Sequence, residues 1–212
     1  MRTFRWLAAA CAVAMLPAAT AAQSFRAFEH SWFWGAKAGV ASFETSVSGN
    51  KVAPLVGGEW LITRERFGLY IAGDQTFFTE ESGIPDGFGG EYVVAIKNLR
   101  RFTTAGLFFP KALTTVRPYA GFGVAINWIG DATAGGTFGS PEEAAFVNNE
   151  VDRQQDRASL VMMLGVQAIV GRFAPFGQVT LQPSHTGFLL NERAVYLLEG
   201  GFRINAGSSR ER

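Results

Sequence analysis

Val116–Trp128, VRPYAGFGVAINW, sorts its side chains onto two faces with a period of two. Val116, Ala120, Phe122, Val124, Ile126 and Trp128 lie on one face, and Arg117, Tyr119, Gly121, Gly123 and Asn127 on the other. Successive side chains of an extended chain point to opposite sides, so this alternation predicts a β-strand between two different surroundings. One side is continuously apolar. The other mixes glycine with large polar groups.

Reading outward from this stretch, the pattern recurs in seven more segments: Ser31 to Thr45, Pro54 to Arg64, Phe67 to Glu80, Gly90 to Phe102, Ala158 to Phe173, Pro175 to Ser184 and Arg193 to Asn205. Glycine, proline, asparagine and aspartate clusters punctuate them, as turns require. Numbered from the first strand, the odd connections (Ser46 to Ala53, Glu81 to Gly89, Gly130 to Arg157, His185 to Glu192) are long. The even ones include tight turns at Glu65-Arg66 and Arg172-Phe173-Ala174, with a longer link over Thr103 to Thr115. Alternating long and short edges are the asymmetry of an outer-membrane barrel, with long external loops and short periplasmic turns. The reading is all-β: an eight-stranded antiparallel up-and-down transmembrane β-barrel.

A soluble barrel with a small ligand inside also alternates in this way. The smaller face decides between the two. Gly35, Gly39, Gly121, Gly123 and Gly165 stand beside Lys37, Glu59, Asp74, Arg117 and Arg203, a mixture suited to a narrow interior in which buried charges must pair. Aromatics near strand ends, Trp32, Trp34, Trp128, Phe176 and Phe202, are expected to form interfacial girdles.

Residues 1–22 have the form of a secretory signal peptide, leaving 23–212 as one barrel domain. Arg2 and Arg5 precede an apolar run from Trp6 to Leu16, and small residues lead to Ala22. The only cysteine, Cys11, lies in this prefix, and its surroundings do not make a lipoprotein signal. The mature part therefore has no disulfide and no thiol chemistry. Without Arg2 and Arg5 it carries seventeen basic residues against eighteen acidic, which argues against nucleic acid as a partner. Its longest uncharged apolar run, Leu160 to Val170, is far shorter than the roughly 20 residues of a membrane helix, so any span must be made by strands.

The stretches Arg117 to Val124, Phe173 to Val179 and Gly200 to Asn205 resemble the small outer-membrane β-barrel proteins of Gram-negative bacteria, the OmpA-like and OmpW-like group. The resemblance spans nearly the whole mature chain and is specific for fold. It implies an outer-membrane location, with membrane lipid, lipopolysaccharide and the barrel-insertion machinery as partners of a monomer. The OmpW-like side of it implies a narrow channel for small or hydrophobic solutes. Such barrels commonly end on an aromatic residue that the insertion machinery recognises, whereas this chain continues past Phe202 to Arg212, so that either the recognition signal is internal or the tail is a short periplasmic extension.

No catalytic constellation emerges. The mature histidines are His30 and His185. A barrel lipid A deacylase would carry serine two positions after its histidine, but Gly187 stands there, and Ser184, His185 and Glu192 are merely neighbours in one loop. Neither a cofactor motif nor a metal-ligand spacing is present.

The informative cluster is a charge network expected in the lumen: Lys37, Glu59, Asp74, Lys97, Arg101, Arg117, Glu199 and Arg203. It makes either a salt-bridged plug or a narrow polar pore, and the width of eight strands favours the plug. The acidic segment Gly130 to Arg157 is expected to be a mobile external loop, suited to surface recognition or to bridging lipopolysaccharide through divalent cations. The expected function is non-catalytic: a structural, surface-interaction or envelope-integrity role. A narrow channel is the alternative, and a lipid-modifying enzyme or a soluble periplasmic ligand-binding barrel comes behind it.

Overall fold

The computed structural model describes residues 30–85, 91–110, 115–135, 138, 140–183, 188–190 and 194–208. The signal-peptide reading, Ser184, His185, Glu192 and the tail beyond Ser208 lie outside the described residues. The strands are β1 (Ser31–Phe43), β2 (Lys51–Arg64), β3 (Phe67–Pro85), β4 (Glu91–Phe108), β5 (Val116–Ala134), β6 (Asp156–Ala168), β7 (Phe173–Gln182) and β8 (Val195–Ser208). Each pairs antiparallel with its sequence neighbours, and β1 pairs with β8 to close the barrel. Closure gives every strand two neighbours, so the sheet has no edge strand.

The two-residue turn Glu65-Arg66 joins β2 to β3, with Glu65 in the left-handed region at φ 55°. Between β6 and β7 the tight turn is made at Gly171, φ 61°, where glycine removes the steric penalty of that conformation. Both turns lie at the end opposite to the longer connections, as strand parity requires.

Sequence alternation translates directly into inward and outward faces over most of the barrel. On β5, Phe122, Val124, Ile126 and Trp128 are exposed while Arg117, Tyr119 and Asn127 are buried. β4 departs from this. Phe77 and Phe78 of β3 stand opposite the single residue Asn98, and the register shifts there, the mark of a β-bulge. Asn98 adopts φ 56°, which asparagine tolerates better than most side chains. Beyond the bulge the inward positions become Ile96 and Val94, so Lys97, expected in the lumen, sits on the exposed outer face instead. A strict period of two cannot reveal one inserted residue.

The interior is stacked in three layers. Towards the short turns, Phe33, Leu61, Tyr70, Ala72, Ala105, Leu107, Phe109, Tyr119, Met163, Ile169 and Ala174 form an apolar cluster. Towards the long connections a second cluster gathers, among others, Phe43, Leu55, Ile84, Ile96, Leu99, Ile129 and Leu197. Between them lie the buried charges.

The upper cluster is completed by the helix α1 (Pro141–Gln154), which lies within the segment expected to be a mobile loop. Ser140 accepts a hydrogen bond from the Glu143 amide, Pro141 opens the helix, and Glu142 and Glu143 occupy its first turn. Ser140-Pro141-Glu142-Glu143 thus has the pattern of a capping box, a helix start signal carried by four consecutive residues. Only Val147 and Val151 of α1 are buried, and they pack beside Phe188, Leu189 and Leu190 from the last connection.

Glycines allow neighbouring strands to carry bulky inward groups. A Cβ on Gly39 would lie 2.1 Å from the Leu198 carbonyl oxygen, and one on Gly201 2.1 Å from that of Ala36. Both glycines belong to the β1–β8 seam, where backbone and not a flexible side chain would have to move. Gly39→Ala is expected to lower stability by roughly 1–3 kcal/mol, the range of overpacking changes. Gly73→Ala, where an added Cβ meets nothing within 4 Å, serves as the matched neutral substitution. Urea titration of the folded protein, followed by tryptophan fluorescence, reads both.

Candidate functional site

All eight strands contribute to the middle layer, and its groups form two joined clusters. In the first, Lys37 on β1 approaches Glu199 on β8 at 2.6 Å and Asp74 on β3 at 3.0 Å. Arg101 on β4 closes the set, its Nη2 lying 2.9 Å from Asp74 and 3.5 Å from Glu199. Gln178 Nε2 and Thr180 Oγ1 on β7 donate to Glu199 Oε2 at 2.8 and 3.1 Å.

The second cluster is built on Arg203. Its Nε donates to Glu59 on β2, its Nη1 to Gln167 on β6, and its guanidinium stacks 3.9 Å over the Phe176 ring. Arg203 has no solvent exposure. A planar guanidinium can satisfy a carboxylate, an amide and an aromatic face together, which an ammonium could not.

Two tyrosines join the clusters. Tyr70 donates to Glu59 Oε2 at 3.1 Å while its oxygen accepts from Lys37 at 3.2 Å and Gln178 at 3.3 Å. Tyr119 donates to Gln178 Oε1 at 2.9 Å and accepts from Arg203 Nη2 at 3.5 Å. Lys37, Arg101 and Arg203 balance Glu59, Asp74 and Glu199, so these six ions sum to zero. An isolated charge in such an enclosure would be strongly unfavourable, and mutual pairing with hydrogen bonds offsets that cost.

Register explains how these side chains fit. Gly35 stands opposite Glu59 on one side and Arg203 on the other. Gly57 pairs with Lys37 and Asp74, and Gly165 with Tyr119 and Gln178. The Cβ of an alanine at position 165 would sit 2.4 Å from Tyr119 Cζ.

The structure gathers Lys37, Asp74, Arg101 and Glu199 into one cluster and Glu59 and Arg203 into a second joined to it through Tyr70 and Gln178, buries Arg117 on the same face, and leaves Lys97 outside. Tyr70, Tyr119, Gln167, Gln178 and Thr180 fall on the inner face of the sequence pattern with no part assigned to them, yet they knit the charges together. Their signal is the same period of two. Phe176, expected in an interfacial girdle, points inward, because it shares the parity of Gln178 and Thr180. Trp32, Trp34, Trp128 and Phe202 are exposed on the outer wall. Among the described residues no three of His, Cys, Asp and Glu converge to hold a metal ion, and no helix is long and apolar enough to cross a membrane, which says nothing of a barrel.

No protein-family model matches the chain, and no curated protein matches it in sequence. Solved structures do match. Neisserial surface protein A shares 12% identity, covering 82% of this chain and 96% of its own, with a TM-score of 0.53. Ail, the attachment invasion locus protein of Yersinia pestis, solved in complex with the heparin analogue sucrose octasulfate, shares 12% identity over 84% of this chain and 99% of its own, with a TM-score of 0.51. The chain has the fold of the small eight-stranded outer-membrane barrels, and the resemblance seen in its sequence holds at that level.

Arg203→Met removes the cation from Glu59 and should lower stability by about 3–5 kcal/mol, the cost of stranding a buried charge. Adding Glu59→Leu should recover a large part of that loss. A double-mutant cycle from urea titrations measures the coupling, and additive losses would contradict the pairing.

Proposed function

We propose that this chain is an outer-membrane β-barrel protein of non-catalytic function, serving a structural, surface-interaction or envelope-integrity role with its lumen closed. The observation that carries the reading is the apolar outer wall. Leu164 is 67% exposed, Phe202 65%, Leu198 61% and Phe122 60%, and every strand adds to the same belt. Soluble monomers rarely expose continuous apolar surface beyond a few hundred Å².

The belt has the height of a bilayer core. From Val116 to Trp128 the strand rises about 40 Å at 3.3 Å per residue, or about 28 Å along an axis tilted 45° from it. Arg64 and Arg66 border it at the short-turn end, and Arg100 and Asp131 at the other, all exposed. The signal-peptide reading of residues 1–22 agrees with export, and an even strand count supports both barrel termini on the periplasmic side. Lipid, lipopolysaccharide and the insertion machinery are the partners proposed, and the barrel acts as a monomer.

Closure is supported by the stacked interior, in which apolar clusters lie above and below the layer of paired ions. The polyanion bound by Ail is not carried over. Among the described residues at the long-connection end, Glu44, Glu80, Glu81, Glu91, Asp131, Glu142, Glu143, Glu150, Asp152 and Asp156 outnumber Lys51, Lys97, Arg153 and Arg157, and a polysulfate would be repelled.

Leu164→Arg, which places a cation on the outer wall, should destabilise the protein by about 2–4 kcal/mol when folded in lipid vesicles. The same substitution on a water-facing wall would be nearly neutral, and that result, or recovery of the protein from the soluble periplasm, would contradict the membrane assignment. In planar bilayers the wild-type protein should show no steady unitary conductance.

A further inference from the structure

On the outside of the barrel, where β1 meets β8 at the long-connection end, the apolar wall gives way to a polar hollow. Its volume is about 250 Å³, and Ser42, Phe43, Glu44, Asn50, Ala194 and Tyr196 line it. Register shows how it forms. Ser42 on β1 stands between Val52 on β2 and Tyr196 on β8, all three on the outer face. Glu44 follows with the same parity as Ser42, while Asn50 and Ala194 immediately precede β2 and β8. Serine and alanine are small, so the surface dips between the longer side chains of Glu44, Asn50 and Tyr196.

The donors and acceptors of the lining select a class of ligand. Ser42 Oγ donates to Asn50 Oδ1 at 2.8 Å, which leaves the amide its two Nδ2 donors for a further partner. Glu44 supplies acceptors only, and the hydroxyls of Ser42 and Tyr196 serve as either. A donor amide beside an acceptor carboxylate matches a pair of neighbouring hydroxyls, one accepting from Asn50 and the other donating to Glu44. The ring of Tyr196, 53% exposed, adds an apolar face next to these groups. Among the described residues no cation lines the hollow, and Lys51, which adjoins Asn50, is paired with Glu80 at 3.0 Å. A phosphate, sulfate or carboxylate would therefore meet Glu44 without a counter-charge. An alkyl chain would leave the polar groups unpaired. The volume lies below the roughly 300–1,000 Å³ of drug-sized sites, which suits one ring and not a chain.

We propose that this hollow is a saccharide subsite for a single uncharged pyranose ring, with Tyr196 against one face of the sugar and Asn50 and Glu44 on two of its neighbouring hydroxyls. Two sources present that chemistry at the outer rim: the carbohydrate of an adjacent lipopolysaccharide, and a glycan approaching from outside. The subsite deepens the surface-interaction reading and rests on it only for what the sugar is attached to. Binding of a free sugar to the folded chain in detergent does not depend on the membrane assignment, so failure of either leaves the other standing.

Saturation-transfer NMR on the full chain, folded in a detergent without sugar headgroups, tests this with the methyl glycosides of glucose, galactose and mannose and with N-acetylglucosamine. At least one of the four should receive saturation from the protein. Tyr196→Ala, Asn50→Ala and Glu44→Gln should each weaken its binding about fivefold or more, the worth of one such contact. Tyr196→Phe keeps the ring and should retain most of the affinity, and Thr133→Ala, on the outer face of β5, should change nothing. The 6-phosphate of the sugar that binds should bind about tenfold more weakly, being repelled by Glu44. No transfer to any of the four sugars, unchanged affinity in both Tyr196→Ala and Asn50→Ala, or equal binding of the phosphorylated sugar would each overturn the proposal. Repeating the measurement in phospholipid vesicles with and without lipopolysaccharide assigns the source. Loss of the free-sugar signal only where lipopolysaccharide is present supports the subsite with the adjacent lipid as its occupant, and a persisting signal supports it with an external glycan.

Discussion

An eight-stranded cylinder is only wide enough for side chains from opposite walls to meet at its axis, and the rest of this structure follows from that limit. No inward residue can be chosen independently of those across from it. Glu59 and Arg203 flank Gly35, and Tyr119 and Gln178 flank Gly165, because two large groups side by side would not fit. Filling and pairing are therefore one problem. The three cations and three anions of the joined clusters reach across from β1, β2, β3, β4 and β8, and the tyrosines and amides of β3, β5, β6 and β7 occupy what remains.

Such a network is costly to break and of modest net worth to form. Buried ions lose hydration, and their attraction merely offsets that loss unless hydrogen bonds satisfy the remaining atoms. Here Glu199 takes bonds from Lys37, Gln178 and Thr180, and Arg203 spreads its donors over Glu59, Gln167 and Tyr119. The consequence for folding is selectivity. A slip of one residue in β1, β2, β3, β4 or β8 would turn its charge towards the apolar surroundings and an apolar group inward, so the network disfavours other registers.

The two faces of the barrel obey opposite rules, and the ends obey a third. Outward positions are apolar and inward ones polar through the middle of the wall, while the upper lumen becomes apolar beneath α1. That helix is amphipathic in a minimal way, with two buried valines on an otherwise hydrated surface. The barrel is thus held by ladders and ion pairs, whereas α1 is seated over its mouth by Val147 and Val151.

The amino-acid sequence by itself determined the number of strands, their antiparallel succession, and which face of most of them turns inward, because a period of two is written residue by residue. It also carried the capping box of α1, in Ser140 to Glu143, within a stretch whose acidity suggested only a loop. Lys97 shows where that legibility ends: it was turned outward by a single bulge at Asn98, which depends on how β3 and β4 pair. Phe176, by contrast, keeps the inward parity of Gln178 and Thr180, and only its stacking on Arg203 depends on the closed barrel. Which cation meets which anion, and that residues 147 and 151 pack into the upper apolar cluster beside residues 188 to 190, were decided only by tertiary structure. Local alternation fixes the direction of a side chain, whereas its partner depends on the stagger of eight strands around a closed cylinder.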